Sequence, residues 1–252
     1  MCIRDRLYLT QNTKLLLRSE YENKSFFNET VIGTTSDYET DSIDVAIQLS
    51  FLDTLTQYGG INQAELIYTK GEVDLGGSPN ETSDKIGANT QGTFNKIKFN
   101  MKKTQYLDTN YSININYAYQ WADQNLDSSE KLYLGGPKGV RAYPVNEGSG
   151  AQGYMANLEL NRTFKENLQG KIFYDQGSVK QYISNSTVSA DPNSLTLKGF
   201  GIGLDWTGPK NSVVSLNLAR RIGKNPNPTV TGKDQDGSNK DNFVWLRGGI
   251  LF

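Results

Sequence analysis

Two side chains on which most hydrolases and metal enzymes depend are nearly missing from this chain. Histidine is absent from all 252 residues, and cysteine occurs once, as Cys2. Ser-His-Asp and Cys-His nucleophilic sites are thereby excluded, and a zinc site would have to be built without imidazole. A single thiol forms no internal disulfide. Carboxylates and cations are in near balance, 27 Asp plus Glu against 26 Lys plus Arg, which gives no support to nucleic-acid binding. No cofactor, metal site or enzymatic reaction is expected. The unusual chemistry concentrates in one stretch, Asp123 to Gly153, too long and too patterned to be a plain connection. Its glycines and prolines, among them Gly135, Gly136, Pro137, Gly139, Pro144, Gly148 and Gly150, predict a loop folded back on itself with close backbone approaches.

The elements that carry this loop are strands. From Tyr111 to Trp121 apolar and polar residues alternate without a break: Tyr111, Ile113, Ile115, Tyr117, Tyr119 and Trp121 on one face, Ser112, Asn114, Asn116, Ala118 and Gln120 on the other. Ten such steps span roughly 33 Å. A tilt of about 40° brings that to about 25 Å, the height of the apolar band on a membrane barrel. Tyr117, Tyr119 and Trp121 then read as lipid-facing and girdle residues.

The same alternation recurs in about ten segments, with outward sets such as Ile43, Val45 and Ile47; Leu158 and Leu160; Ile172 and Tyr174; Phe200, Ile202, Leu204 and Trp206; and Val244, Leu246, Ile250 and Phe252. Asp44, Glu159, Asp175, Asp205 and Asn217 lie on the opposite parity. The expected fold is all-β, an antiparallel transmembrane barrel with an apolar outside and a hydrated inside. The mean hydropathy of −0.57 is compatible with it, because only every second residue meets lipid. Connections are expected to alternate long and short: long near 24–41, 75–92, 122–153, 177–195 and 223–241, with short turns on the periplasmic side. Arg162 and Arg220 break the outward apolar runs near strand ends, where a cation costs about 0–1 kcal/mol rather than the ~2–4 of the midplane. Met1 to Arg6 lies outside the pattern and reads as a truncation scar or artefact, leaving 7–252 as the barrel domain.

The motifs of the long loop and the strands after it resemble the haemolysin secretion/activation family of ShlB/FhaC/HecB type, the TpsB transporters of two-partner secretion within the outer-membrane protein 85 superfamily. Leu134-Gly135-Gly136-Pro137, Val140-Arg141-Ala142-Tyr143-Pro144 and Glu147-Gly148-Ser149-Gly150 are similar to that family's sixth extracellular loop. Gln152-Gly153-Tyr154 with Asn157-Leu158-Glu159-Leu160, and Phe173-Tyr174-Asp175-Gln176-Gly177, resemble the strands that follow it. Ala142 stands where the superfamily's commonest form has Gly, and Ala151 where many relatives carry an acid.

The resemblance implies a loop tucked into a sixteen-stranded barrel, its arginine paired with an acid on the inner wall. Asp175 has the inward parity, so Arg141 and Asp175 are the implied pair, with Val140 and Tyr143 in the same motif. Gly135 and Gly136 are expected as the hinge, Glu159 as a further loop contact or a plain lumen residue, and Phe252 as the barrel-assembly signal. In a hydrated lumen the pair is expected to be only weakly desolvated. The chain corresponds to the last strands of that barrel, with earlier strands and the periplasmic POTRA modules expected outside it. The implied function is export, and possible activation, of a secreted TpsA-type haemolysin or adhesin partner across the bacterial outer membrane. Outer-membrane lipids and the barrel-assembly machinery are the further expected partners. Alternatives are a barrel-assembly insertase of the same superfamily, a passive porin and a soluble adhesive β-domain.

Overall fold

The computed structural model describes residues 2–184 and 193–250. Phe252 and 185–192 therefore lie outside the described residues. Thirteen strands follow in chain order: β1 Cys2–Leu9, β2 Thr13–Thr30, β3 Gly33–Asp53, β4 Gly60–Asp74, β5 Gly92–Tyr106, β6 Tyr111–Ala122, β7 Leu132–Tyr133, β8 Ser149–Gly150, β9 Gln152–Lys165, β10 Leu168–Lys180, β11 Ser194–Thr207, β12 Ser212–Arg221 and β13 Asn242–Ile250. Eleven of them form one sheet, each antiparallel to the next in sequence, with β6 passing directly to β9. The pair β7–β8 forms a separate small ladder inside the long loop.

Strand parity sorts the side chains as the alternation requires. Ile43, Val45, Ile47, Leu66, Tyr68, Leu158, Ile172, Ile202, Leu204 and Leu246 are exposed on the outer face, while Ala46, Thr69, Lys96, Asn157, Asn161, Asp175 and Ser215 are buried on the inner one. A soluble sheet does the reverse, so the exposed apolar face is a surface made for lipid. No helix is long and apolar enough to cross a membrane, and this does not bear on strands. The sheet ends in two edges, β1 and β13, with no ladder between them among the described residues. It is an arc of barrel wall.

Two features differ from the sequence reading. The connection expected as a long loop over 24–41 is a hairpin: β2 and β3 run on for 18 and 21 residues to the tight turn at Val31–Ile32. Polar residues on both faces hide the continuing strands, but Phe26 stacks on Tyr38 across the pair with ring centroids 4.9 Å apart, the kind of cross-strand contact that stabilises a hairpin. The sheet also gains an eleventh strand, because Cys2–Leu9, which takes in Cys2 to Arg6 of the segment set apart from the pattern, pairs along β2 from Cys2–Glu20 to Leu9–Lys14. The other connections keep the alternation, with short turns at 54–59, 107–110, 166–167 and 208–211 opposite long loops at 75–91, 123–151 and 222–241. The loop at 75–91 carries one short helix, α1 Glu81–Ile86.

The core lies where the long loop meets the inner wall. Leu134, Val140, Ala142 and Tyr143 of the loop are fully buried against Phe173 and Val179 of β10, Leu195 and Leu197 of β11, and Ala219 of β12. A second cluster joins loop residues Leu126 and Ala151 to Val73, Leu75, Phe94 and Ala122. Burying side chains of the Leu, Val or Tyr size contributes about 1.5–3 kcal/mol each. Apolar burial therefore holds the loop inside the arc, and polar contacts decide its orientation.

Candidate functional site

Backbone closeness shapes the loop before any charge acts. The Gly135 N–H donates to the Glu147 carbonyl and the Gly136 N–H to that of Tyr143, doubling the chain back on itself. A Cβ at Gly135 would lie 2.1 Å from the Pro144 carbonyl oxygen, and Gly136 has φ +109°, a region closed to most side chains. Val140 closes the fold, its N–H donating to the Leu134 carbonyl at 2.7 Å. The turn so formed presents Arg141 to the wall.

Arg141 meets Asp175 through three hydrogen bonds. Its backbone N–H donates to Oδ2 at 3.1 Å, Nε to the same oxygen at 2.9 Å and a terminal guanidinium nitrogen to Oδ1 at 2.7 Å. The other terminal nitrogen donates to Glu159 Oε1 at 2.5 Å, and the guanidinium carbon stands 3.5 Å from the centre of the Phe173 ring. One cation is thus held by two carboxylates and stacked on an aromatic face, an arrangement that fits the planar fork of arginine and not lysine. The chain path explains the convergence. Asp175 pairs in register with Asn157, and Phe173 with Glu159, all four on the inward parity of β10 and β9.

The pair is not in open water. Asp175 is fully buried and Arg141 is 5% exposed, because the apolar residues of the loop close over them. The expectation of weak desolvation is corrected accordingly: removing Arg141 leaves Asp175 buried without its cation, and removing Asp175 leaves Arg141 to Glu159 alone. Tyr143, also fully buried, lies beneath the Arg221 guanidinium, whose carbon is 4.3 Å from the ring centre.

Several participants carry no signal in the loop motif itself. Asn157 bridges loop and wall, donating to Asp175 Oδ1 at 2.8 Å and to the Gly139 carbonyl at 2.9 Å. Trp245 of β13 donates its indole N–H to the Arg141 carbonyl at 2.7 Å. Glu147 accepts from Asn225 at 2.9 Å and from the Gln235 N–H at 2.9 Å, and Asp234 pairs with Arg221 at 2.7 Å, so the loop at 222–241 closes on the long loop. Burial pushes the Glu147 carboxyl above its usual range against these donors. On the opposite flank Glu130 pairs with Lys96 of β5 and, at 3.0 Å, with Lys24 of β2. Asn157 and Trp245 could have been found from inward parity combined with strand register. Glu130 and Asp234 lie in loops, where alternation says nothing. Among the described residues no group of acidic or sulfur side chains is arranged to hold a metal.

An arc of lipid-facing strands with a long loop clamped to its inner wall defines an outer-membrane β-barrel of the class that keeps a lumenal loop. The model of the family described as haemolysin secretion/activation protein ShlB/FhaC/HecB matches residues 5–206, and the chain belongs to that family. Its members and their structural neighbours are outer-membrane barrels, and the outer membrane is where this chain resides. A heme/hemopexin transporter protein HuxB of Haemophilus influenzae strain 86-028NP is 29% identical over 140 residues, 54% of this chain and 25% of the relative. HuxB of strain ATCC 51907 is 27% identical over 163 residues, 61% of this chain and 29% of the relative. The chain thus spans between a quarter and a third of the curated relatives it matches. Among solved structures, CdiB from Escherichia coli superposes with a TM-score of 0.77 at 17% identity, covering 100% of this chain and 44% of that one. BamA from Haemophilus ducreyi gives 0.51 at 12% identity, covering 98% and 61%. These two likenesses show the shared fold.

Proposed function

We propose that the chain supplies wall strands and the in-folded loop of a transporter that passes a secreted TpsA-type haemolysin or adhesin partner, unfolded, through the barrel to the cell surface. The reading is of a conduit and not an enzyme. The observation that supports it most is the clamp itself: Arg141, held by Asp175 and Glu159 over Phe173, fixes a loop that occupies the space an exported chain would need. Gly135 and Gly136 give this loop its doubled-back shape, and Val140 and Tyr143 seat it. Membership of the ShlB/FhaC/HecB family supports the same reading. With no phosphate-loop motif in the sequence, transport would draw on folding of the partner outside the cell, which removes the unfolded form from the lumen. Assembly into the membrane would pass through the barrel-assembly machinery.

The test is partner secretion by the full-length transporter carrying Arg141→Ala or Asp175→Ala. Secretion is expected to fall while heat-modifiable mobility on a gel reports normal barrel levels. Secretion at the unmodified level from a normally assembled barrel would overturn the role given to the clamp. Steady conductance with no partner dependence would favour a passive pore.

A further inference from the structure

A cation at lipid level needs a reason, and Arg162 has its surroundings built for one. It is exposed on the outer face of β9, three residues before the strand ends at the short turn 166–167. Its register partner on β6 is Tyr111 and on β10 is Gly170. Its guanidinium carbon lies 5.5 Å from the Tyr111 ring centre and 5.2 Å from that of Phe164, so the charge is held between two aromatic faces. None of the ion pairs among the described residues includes Arg162.

Gly170 does the complementary work. Without a side chain at that position the outer face sinks into a groove of about 430 Å³, which runs from Arg162 toward the midplane between Leu160, Ile172, Ile202 and Leu204. Phe164 leans over Gly170 so closely that a Cβ there would lie 2.6 Å from its ring. A fixed cation at the aromatic belt, with an apolar trough leading from it into the bilayer, has the polarity and direction of one phospholipid: phosphate outside, acyl chain inside.

We propose that Arg162, Tyr111 and Phe164 bind the phosphodiester of a periplasmic-leaflet phospholipid whose acyl chain lies in the groove over Gly170. The site rests on the outer-membrane placement of the barrel and is independent of what passes through the lumen. Charge complementarity selects this occupant over a protein helix, which would offer the guanidinium no phosphate.

The test is native mass spectrometry of the full-length barrel extracted in mild detergent after reconstitution in phosphatidylethanolamine–phosphatidylglycerol vesicles. The unmodified barrel is expected to retain one phospholipid that Arg162→Gln and Phe164→Ala each hold on the order of tenfold more weakly. Arg220→Gln, which removes an outward arginine at the other end of the wall, is expected to retain it as the unmodified protein does. All three substituted side chains face outward, and heat-modifiable mobility verifies assembly. Retention at the unmodified level in either Arg162→Gln or Phe164→Ala would overturn the proposal, as would equal loss in Arg220→Gln.

Discussion

Asn157 and Asp175 face each other across the β9–β10 ladder, and the amide of one donates both to the carboxylate of the other and to the Gly139 carbonyl of the loop. A neutral wall residue thus joins backbone to charge. Replacing it by Asp removes both donated bonds and sets a second carboxylate beside Asp175. Asn157→Asp is expected to weaken loop docking by about 1–3 kcal/mol, read as faster protease cleavage within 134–150 in an intact barrel.

The burial of Arg141 and Asp175 predicts non-additivity. Arg141→Ala alone strands the buried Asp175 carboxylate, at about 3–5 kcal/mol, and Asp175→Ala leaves Arg141 to Glu159 alone at a smaller cost. The double variant removes both charges and leaves only Glu159, which keeps some solvent access, and its loss is expected to be smaller than the sum. Arg141→Lys is expected to fall near Arg141→Ala, because an ammonium cannot engage both carboxylates and lie flat on Phe173. Loop mobility from spin labels at the tip, measured for the unmodified protein and the four variants, completes the cycle.

Ala142 docks against a position with no side chain. A Cβ at Gly199 would lie 2.4 Å from the Ala142 Cβ. Gly199→Ala is expected to push the loop off β11 at about 1–3 kcal/mol, and Ala142→Gly to restore it in the double variant. Thermal unfolding of the reconstituted barrel together with protease protection of the loop checks both. Failure of the second change to rescue the first would place the clash elsewhere.

The flank anchored by Glu130 is expected to loosen in acid. Burial works to raise that carboxyl, but Lys96 and Lys24 outweigh it and hold it below its ordinary value of 4.5. A lowered folded value means the contribution is present above 4.5 and disappears as pH falls through the folded value. Glu147 runs the other way: its raised value means that its site is most favourable below 4.5 and less so as pH rises through the folded value. Proteolysis near Glu130 and near Glu147, followed from pH 7 downward, is expected to increase at the first and not at the second. Glu130→Gln should abolish the first response.

Period-two alternation made the wall legible, because lipid and lumen demand opposite chemistries at successive residues of a strand. Asp175 was placed inward by the outward set Ile172 and Tyr174 alone, and the loop motif then assigned Arg141 to it. The β2–β3 hairpin beyond about Lys24 was not legible. Above the membrane both strand faces meet polar surroundings, so Glu39, Thr40 and Asp41 alternate with nothing. The burial of the clamp was hidden for a different reason. It depends on Leu134, Val140 and Tyr143 closing from above, a three-dimensional contact with no period in the sequence. Trp245 is the intermediate case: its parity marks it as inward, but only the path of a loop 104 residues upstream explains an indole there.

The long loop touches nearly the whole arc: Glu130 reaches β2 and β5 at one flank, Arg141 reaches β9 and β10, and its carbonyl reaches Trp245 on β13. Geometrically it is a chord, and a chord of fixed length sets the radius of the curve it subtends. While these ties hold, the arc has one curvature; release at one end frees the wall to unbend from that end first. The curvature of the wall is therefore a property of the loop as much as of the number of strands.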